Sequence, residues 1–437
     1  MHPAATAATA ATANTTETVS PETKRSSFYL IIVAASIGNA LEWFDILIYG
    51  FFATTIARTF FPASNPTVSL LVTLGTFGIS YLVRPVGALV LGSYADRHGR
   101  KASMMVSIVM MMAGTASIAL MPGYATIGVA APILVVLARL VQGFSAGGEF
   151  GSTTAFMVEQ APERKGFVAS FQFASQGLSY LLAAAFGAIL TSTLEPASLQ
   201  SWGWRLPFLF GILIGPVGLY LRKHIHEGRS FEQAKPEESP VRTVFAHQKG
   251  RMLLAVGTLV LSTGTSYVIL YIPTYAVRQL HLPESFGFTA TAVTGAILTF
   301  VTPFVGHLSD RIGRVRMMSW AGIVFTLTIY PVFRSLGAHA TLGGLMAMMA
   351  WVGLLKAIYF GALPALMAET FPVETRATGM AISYNIGVTV FGGFAPLIVA
   401  SLIQATGSKL APAFYLMVLG VISLFALWRC RRTLDLR

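Results

Sequence analysis

The sequence predicts an all-α integral membrane protein whose twelve transmembrane helices form two pseudo-symmetric halves of six. Three observations carry that prediction. Charged residues make up only 11% of the 437 positions and hydrophobic ones 54%, with a mean hydropathy of +0.66. Twelve apolar stretches, most of them long enough to cross ~30 Å of hydrocarbon as helices, follow one another along the chain. One loop pattern occurs twice, at the same place in each set of six. Soluble domains carry about 25% charged residues. Membrane-spanning β-strands would be ~10 residues of strict alternation, and these stretches do not alternate.

Taken in order, residues 1–27 read as a disordered tail, because "MHPAATAATAATANTTETVSPETKR" is low-complexity Ala/Thr without the apolar core of a signal peptide. Spans are expected at 28–55, 68–92, 102–121, 129–157, 166–191 and 205–221, which together make an N-terminal bundle over 28–221. The connector 222–251 is the one long polar stretch. Its mixed charge reads as a solvated linker with some surface helix. A C-terminal bundle over 252–428 holds spans at 252–277, 287–307, 316–336, 343–367, 377–403 and 411–428, before a short tail at 429–437. The single cysteine, Cys430, excludes an internal disulfide framework and a cysteine-based metal cluster.

The net charge of +12 is unevenly placed. Lys24 and Arg25, "DRHGRK", "ERK", the connector, "DRIGRVR", Arg376 and "WRCRRTLDLR" all fall on one side, against scattered cations such as Arg58, Arg278, Arg334 and Lys409 on the other. Short loops rich in Lys and Arg stay in the cytoplasm, so both termini are expected there. The positive charge is therefore a topology signal. The partner it implies is the lipid bilayer, with no nucleic acid.

The repeated loop reads "GSYADRHGRK" after the second span, with Gly92, Asp96, Arg97, Gly99 and Arg100, and "GHLSDRIGR" after the eighth, with Gly306, Asp310, Arg311, Gly313 and Arg314. The two aspartates lie 214 residues apart. A second echo, "EQAP" at 159–162 and "ETFP" at 369–372, is offset by 210. Two echoes at almost one offset argue for duplicated halves in parallel orientation. Glycines permit tight turns and close helix approach, and Asp96 can pair with a cation or cap a helix of the opposite half. That would hold one rocking state closed and release it in the other. A plain topology anchor would explain the arginines but neither the aspartate nor the glycines.

The doubled G-x-x-x-D-R-x-G-R loop resembles the signature loop of the major facilitator superfamily. More narrowly, "GNALEWFDILIYG" (38–50), "RLVQGFSAGGEFG" (139–151) and "WGWRLPFLFG" (202–211) resemble the metabolite:proton symporters of that superfamily, and "LEPASLQSWGWRLPFLFG" and "VFGGFAPLIVASLIQATG" are most similar to its citrate/tricarballylate branch. The resemblance covers nearly the whole chain beyond residue 25. It implies a multi-pass monomer of a bacterial inner membrane that takes up a small carboxylate by alternating access. The proton would be the coupling ion, with no cofactor and no bound metal. It also implies that spans 1, 5, 7 and 11 surround a central cavity.

Ionisable residues at membrane depth cost ~2.5–3.5 kcal/mol on insertion scales and normally face a cavity or a partner. Glu42 and Asp45 sit at i and i+3 of the first span, Arg84 in the second, Arg139 and Glu149 in the fourth, and Lys356 near the middle of the tenth. Cations at the centre of a bundle suit an anionic substrate, and a planar guanidinium suits a carboxylate. Arg139, Arg84 and Lys356 are thus the candidate binding groups. Asn39, Gln172, Gln176, Tyr267, Tyr271, Tyr384 and Asn385 add polar lining in spans 1, 5, 7 and 11. The competing reading is internal pairing, Arg84 with Asp45 or Arg139 with Glu149.

Proton coupling needs a group whose protonation responds to burial or pairing. No histidine lies at mid-membrane, so the carboxylates Asp45, Glu42 and Glu149 are the candidates, Asp45 first. An enzyme is not expected, since HExxH, GxSxG, a Cys/His ligand set and a Walker loop are all missing. A channel would need a repeated pore ring or filter. Symport of a zwitterionic osmolyte such as betaine or proline, or of shikimate, is the alternative reading.

Overall fold

The computed structural model describes residues 21–98, 100–223, 240–338 and 340–436, and every regular element among them is helical. Gly99 and the side chains of Asp96, Arg97, Arg100 and Glu149 lie outside the described residues, and Gly92 is placed as backbone only. Among the described residues, nine helices are long and apolar enough to cross a membrane: Pro66–Leu91, Lys165–Thr193, Pro196–Tyr220, Lys249–Leu280, Glu284–Ile312, Arg314–Ala338, Leu342–Thr370, Val373–Thr406 and Ala411–Thr433. A bent pair, Ser36–Phe51 with Ala53–Phe60, makes a tenth. The shorter apolar helices Met105–Leu120 and Ala130–Ser145 stand where the third and fourth spans are expected. Numbered in chain order, these are spans 1 to 12 of a multi-pass membrane protein.

Helix is the only answer open to such segments, because a backbone in hydrocarbon must satisfy every N–H and C=O within itself. Local chemistry sets the ends. Span 2 starts with Pro66 in its first turn and the Asn65 side chain accepting the Thr67 amide. Span 10 is capped by Thr341 Oγ1, which accepts from the Gly344 amide at 3.1 Å. Span 8 stops at Gly313, whose φ of 100° is costly for residues with a side chain.

Four boundaries differ from expectation. The first helix begins at Pro21, inside the stretch read as a tail, and span 1 turns by 66° after Phe51 instead of running straight to residue 55. Span 4 is interrupted by a 3-10 turn at Ala146–Gly148 before Glu149–Gln160 continues it. Span 6 gains a π-helical turn, Leu199–Gly203, that seats Trp204 edge-on to Phe60 at 5.7 Å. The last helix runs on to Thr433, so half of the polar tail is helical. Part of the connector is outside the described residues, and Pro240–His247 is its surface helix.

Spans 1 to 6 and 7 to 12 pack as two halves that meet through spans 2 with 11, 5 with 8, 4 with 11, 5 with 10 and 1 with 7. The repeat is visible in these seams. Phe150 stacks on Tyr384 with centroids 3.8 Å apart, and Phe173 stacks on Phe360 at 4.0 Å. Phe150 and Phe360 are 210 residues apart, Phe173 and Tyr384 are 211, so one operation exchanges the two stacks. It also exchanges two ion pairs, Arg376–Glu159 at 3.7 Å and Lys165–Glu369 at 3.8 Å.

Candidate functional site

Spans 2 and 4 lie backbone to backbone because glycine leaves no side chain between them. A Cβ on Gly143 would fall 1.9 Å from the Ser80 carbonyl oxygen, and one on Gly147 would fall 2.1 Å from that of Arg84. This contact, from the stretch "RLVQGFSAGGEFG", brings two arginines of different spans against the two acids of span 1. Arg84 Nη2 pairs with Glu42 Oε1 at 3.0 Å, and both side chains are buried. Arg139 Nη1 donates to Gln142 Oε1 at 2.9 Å and its Nη2 to Ser80 Oγ at 3.2 Å. The Arg139 guanidinium lies over the Tyr49 ring at 4.5 Å, and Arg84 over Tyr81 at 4.4 Å.

Asp45 takes no part in an ion pair among the described residues. Its Oδ2 accepts a short hydrogen bond from Thr115 Oγ1, which in turn accepts from Gln142 Nε2 at 2.9 Å. Its Oδ1 has no hydrogen-bond partner among the described residues and faces Gly211 of span 6. Gln142 thus connects Asp45, through Thr115, to Arg139. Glu42, Asp45, Ser80, Arg84, Arg139 and Gln142 line one cavity of about 10 Å³ within the first half, the room of roughly one water. The expected alternative pairing of Arg84 with Asp45 is not made; Glu42 holds that cation instead.

Lys356 lies elsewhere. Its Nζ donates to Ser266 Oγ of span 7 at 2.7 Å and sits 4.5 Å from the Phe360 ring centre and 5.2 Å from that of Tyr180. No acid lies within ion-pair distance of it among the described residues. A set of rings, Tyr180, Trp43, Tyr267 and Tyr81, runs between it and Arg84, with neighbouring centroids 5.6–6.4 Å apart. Tyr267 donates to the Tyr81 hydroxyl at 2.8 Å across the two halves. The three cations expected together are therefore in two groups, with the aromatic set between them.

The polar residues expected to line a cavity take several positions. Asn39 donates to the Gln172 carbonyl at 2.6 Å and to Ser175 Oγ at 2.8 Å, stitching span 1 to span 5. Asn385 donates to the Gly147 carbonyl at 2.6 Å, stitching span 11 to span 4. Tyr384 carries the stack on Phe150, while Gln176 and Tyr271 are buried. Thr115, Gln142 and Ser80 were not singled out from the sequence. Gln142 is three residues from Arg139 and Ser80 four from Arg84, one helical face in each case; Thr115 carries no such signal.

At one end of the bundle, Asp310 closes the two halves together. Its Oδ1 accepts from the Gly166 amide at 2.8 Å and its Oδ2 from the Phe167 amide at 3.1 Å, at the start of span 5. A carboxylate is well placed there, because the first amides of a helix lack internal acceptors and carry the positive end of its dipole. Arg314 bridges Asp310 at 2.8 Å and Glu369 at 3.0 Å. Gly306 makes the approach possible: its added Cβ would meet the Gly166 carbonyl oxygen at 2.6 Å. Arg311 is exposed. The opposite end has a larger cavity, about 110 Å³, lined by both halves.

The chain matches the Major Facilitator Superfamily over residues 30–305, and a family described as sugar (and other) transporter over residues 222–435. It is 38% identical over 412 residues to the citrate-proton symporter of Salmonella typhi, covering 93% of this chain and 95% of that one. The alpha-ketoglutarate permease of Escherichia coli (strain K12) is 36% identical over 416 residues, with 92% and 93% covered. The proline/betaine transporter of Salmonella typhimurium is 33% identical over 408 residues, with 90% and 81% covered. Among solved structures, a D-xylose-proton symporter superposes with a TM-score of 0.72 at 16% identity, over 92% of this chain and 97% of that one. A second, the proton:xylose symporter bound to 6-bromo-6-deoxy-D-glucose, gives 0.75 at 14%, over 94% and 96%.

Proposed function

The chain belongs to the Major Facilitator Superfamily of membrane transporters, and from that premise we propose that it takes up a small carboxylate together with a proton by alternating access. Citrate or a related tri- or dicarboxylate is the substrate of this reading. The observation that carries it is the buried charge set of spans 1, 2 and 4, in which Asp45 sits beside a hydrogen-bonded Arg139 but outside the Arg84–Glu42 pair. The names of the relatives, citrate-proton symporter and alpha-ketoglutarate permease, support the same chemistry.

The charges give the coupling a physical form. Among the described side chains, Arg84, Arg139 and Lys356 against Glu42 and Asp45 leave one net positive charge at the centre. A proton on Asp45 raises it to two, so the site then balances a divalent carboxylate. Proton and anion each make the other's burial cheaper, as charges taken out of water require. Glu42 is committed to Arg84, and Asp45 is the group left to load and unload. Glu149 remains a further candidate by position.

In this reading residues 28–221 and 252–428 are the two rocking units, joined by 222–251. The Asp310 end faces the cytoplasm, with both termini, in a bacterial inner membrane, and one chain is the working unit. A zwitterion such as proline or betaine is the second reading. The Arg84–Glu42 pair neutralises one of the three cations, which suits a ligand of low net charge, and the proline/betaine relative points the same way.

The experiment is uptake of radiolabelled citrate into proteoliposomes under an imposed pH gradient, with tricarballylate, α-ketoglutarate, shikimate and betaine as competitors. Gradient-driven accumulation of citrate, cut by the dicarboxylate and not by betaine, is expected. Inhibition by betaine alone would replace the reading with the zwitterion one.

A further inference from the structure

We infer that the cavity at the end opposite Asp310 is an outer subsite for the anionic substrate, held by Arg58, and that Phe51 and Tyr180 form the partition between it and Lys356. The inference rests on the carboxylate reading above. It adds a second binding position and the residues that divide it from the centre.

The cavity, about 110 Å³, lies between the halves. Span 1 contributes Phe51, Thr54 and Arg58, and the start of span 6 contributes Gln200; Thr274 and Glu284 come from the second half. Thr54 and Arg58 are four residues apart on the short helix Ala53–Phe60, hence on one face. Among the described residues, Arg58 is the only cation on the wall. Its guanidinium makes no hydrogen bond and no ion pair within 4.0 Å among the described residues, although Glu284 shares the cavity. Gln200 cannot take its place, since its amide nitrogen is committed to the Thr55 carbonyl at 3.2 Å and Thr59 Oγ1 at 2.9 Å. A guanidinium with uncommitted donors at the mouth of an inter-half cavity suits a carboxylate, which it can hold bidentately.

The inner wall of the same cavity is Phe51. Its ring lies 6.4 Å from Tyr180, and the Tyr180 ring lies 5.2 Å from Lys356 Nζ. Two rings therefore separate the outer cation from the inner one. Phe51 also meets Phe288 of span 8 edge-on at 5.6 Å, so its position depends on both halves. The 66° bend of span 1 falls directly after Phe51. Turning the short helix about that bend would move Arg58 relative to Phe51, which stays with the longer segment, and so present the anion to the partition. Glu284, on the facing half, competes for Arg58 as the cavity narrows, which returns the anion to solution or sends it inward.

The test uses two readouts. In proteoliposomes, Arg58→Gln is expected to raise the KM for citrate by about tenfold, the equivalent of one lost charge-assisted hydrogen bond. Vmax should stay within about twofold because the inner site is intact, and Arg58→Lys should recover part of the KM. An unchanged KM, or a lowered Vmax at unchanged KM, overturns the subsite. The second readout needs no transported substrate. Thr54→Cys, in a chain whose Cys430 is replaced by Ala, is labelled with an anionic and a cationic methanethiosulfonate reagent. The anionic reagent should react several-fold faster, with the preference lost in Thr54→Cys/Arg58→Gln. Absence of any charge preference overturns the subsite. If wild-type protein takes up no citrate while the labelling preference holds, the uptake reading fails and the anion site stands.

Discussion

Arg84 is bound to Glu42 at 3.0 Å, and Asp45, three residues further along the same helix, is left outside that pair. The pair is buried, so removing one partner strands a buried charge, a loss of about 3–5 kcal/mol. Glu42→Gln should lower the unfolding temperature of the detergent-solubilised protein strongly, and Glu42→Gln/Arg84→Gln should recover much of the loss. A double variant as unstable as the single one would show that the two residues are not coupled.

Asp45 carries the proton in the proposed mechanism. Asp45→Asn should abolish accumulation driven by a pH gradient while counterflow exchange of labelled for unlabelled substrate persists. Asparagine keeps the shape and can still meet Thr115, so folding is not the variable. A variant that still accumulates substrate against its gradient removes Asp45 from the role.

Among the described residues, Lys356 has a single hydrogen-bond acceptor, Ser266 Oγ, and two ring faces. An ammonium with spare donors in that setting is available to an anion. Lys356→Ala should raise the KM about tenfold or more, or abolish uptake, with membrane insertion intact. Ser266→Ala, which leaves the cation in place, should have the smaller effect. Unchanged uptake in Lys356→Ala would exclude it from the site.

Asp310 joins the halves through two amides of span 5. Asp310→Asn loses the charge that makes those bonds strong, about 1.5–3 kcal/mol, and so favours opening at that end by about tenfold or more. A cysteine placed at Ser170, under the latch, should then react faster with a membrane-impermeant maleimide added from that side. Equal rates with and without Asp310 would mean that the end opens without the latch.

The twelve spans were legible because hydrocarbon demands one thing of every spanning segment, a long apolar run, and tolerates few exceptions. For the same reason each buried charge stood out singly. Partners were not legible. Glu42 and Asp45 share a helix face, and periodicity cannot say which of two neighbours an arginine on another span will reach. Thr115 was invisible because a threonine in an apolar helix usually bonds its own backbone, and here too the Met111 carbonyl, 3.0 Å away, is an alternative acceptor for the one hydroxyl proton. The bend after Phe51 has no proline to announce it, whereas the break in span 4 falls on the readable triplet Ala146, Gly147, Gly148. Asn39 reads from sequence as cavity lining, yet it is spent on holding span 5.

The two ring stacks, Phe150 on Tyr384 and Phe173 on Phe360, are nearly flat, with 11° and 14° between planes. Flat faces resist separation but offer little resistance to shear. A ring can glide across its neighbour with its contact area almost intact, whereas interlocked aliphatic side chains must first be pulled apart. Placed as a matched pair related by the repeat, they would serve the proposed rocking as bearings. In that mechanism the halves would change their tilt about the stacks without opening a void between them, and the cost of each cycle would fall on the two ends.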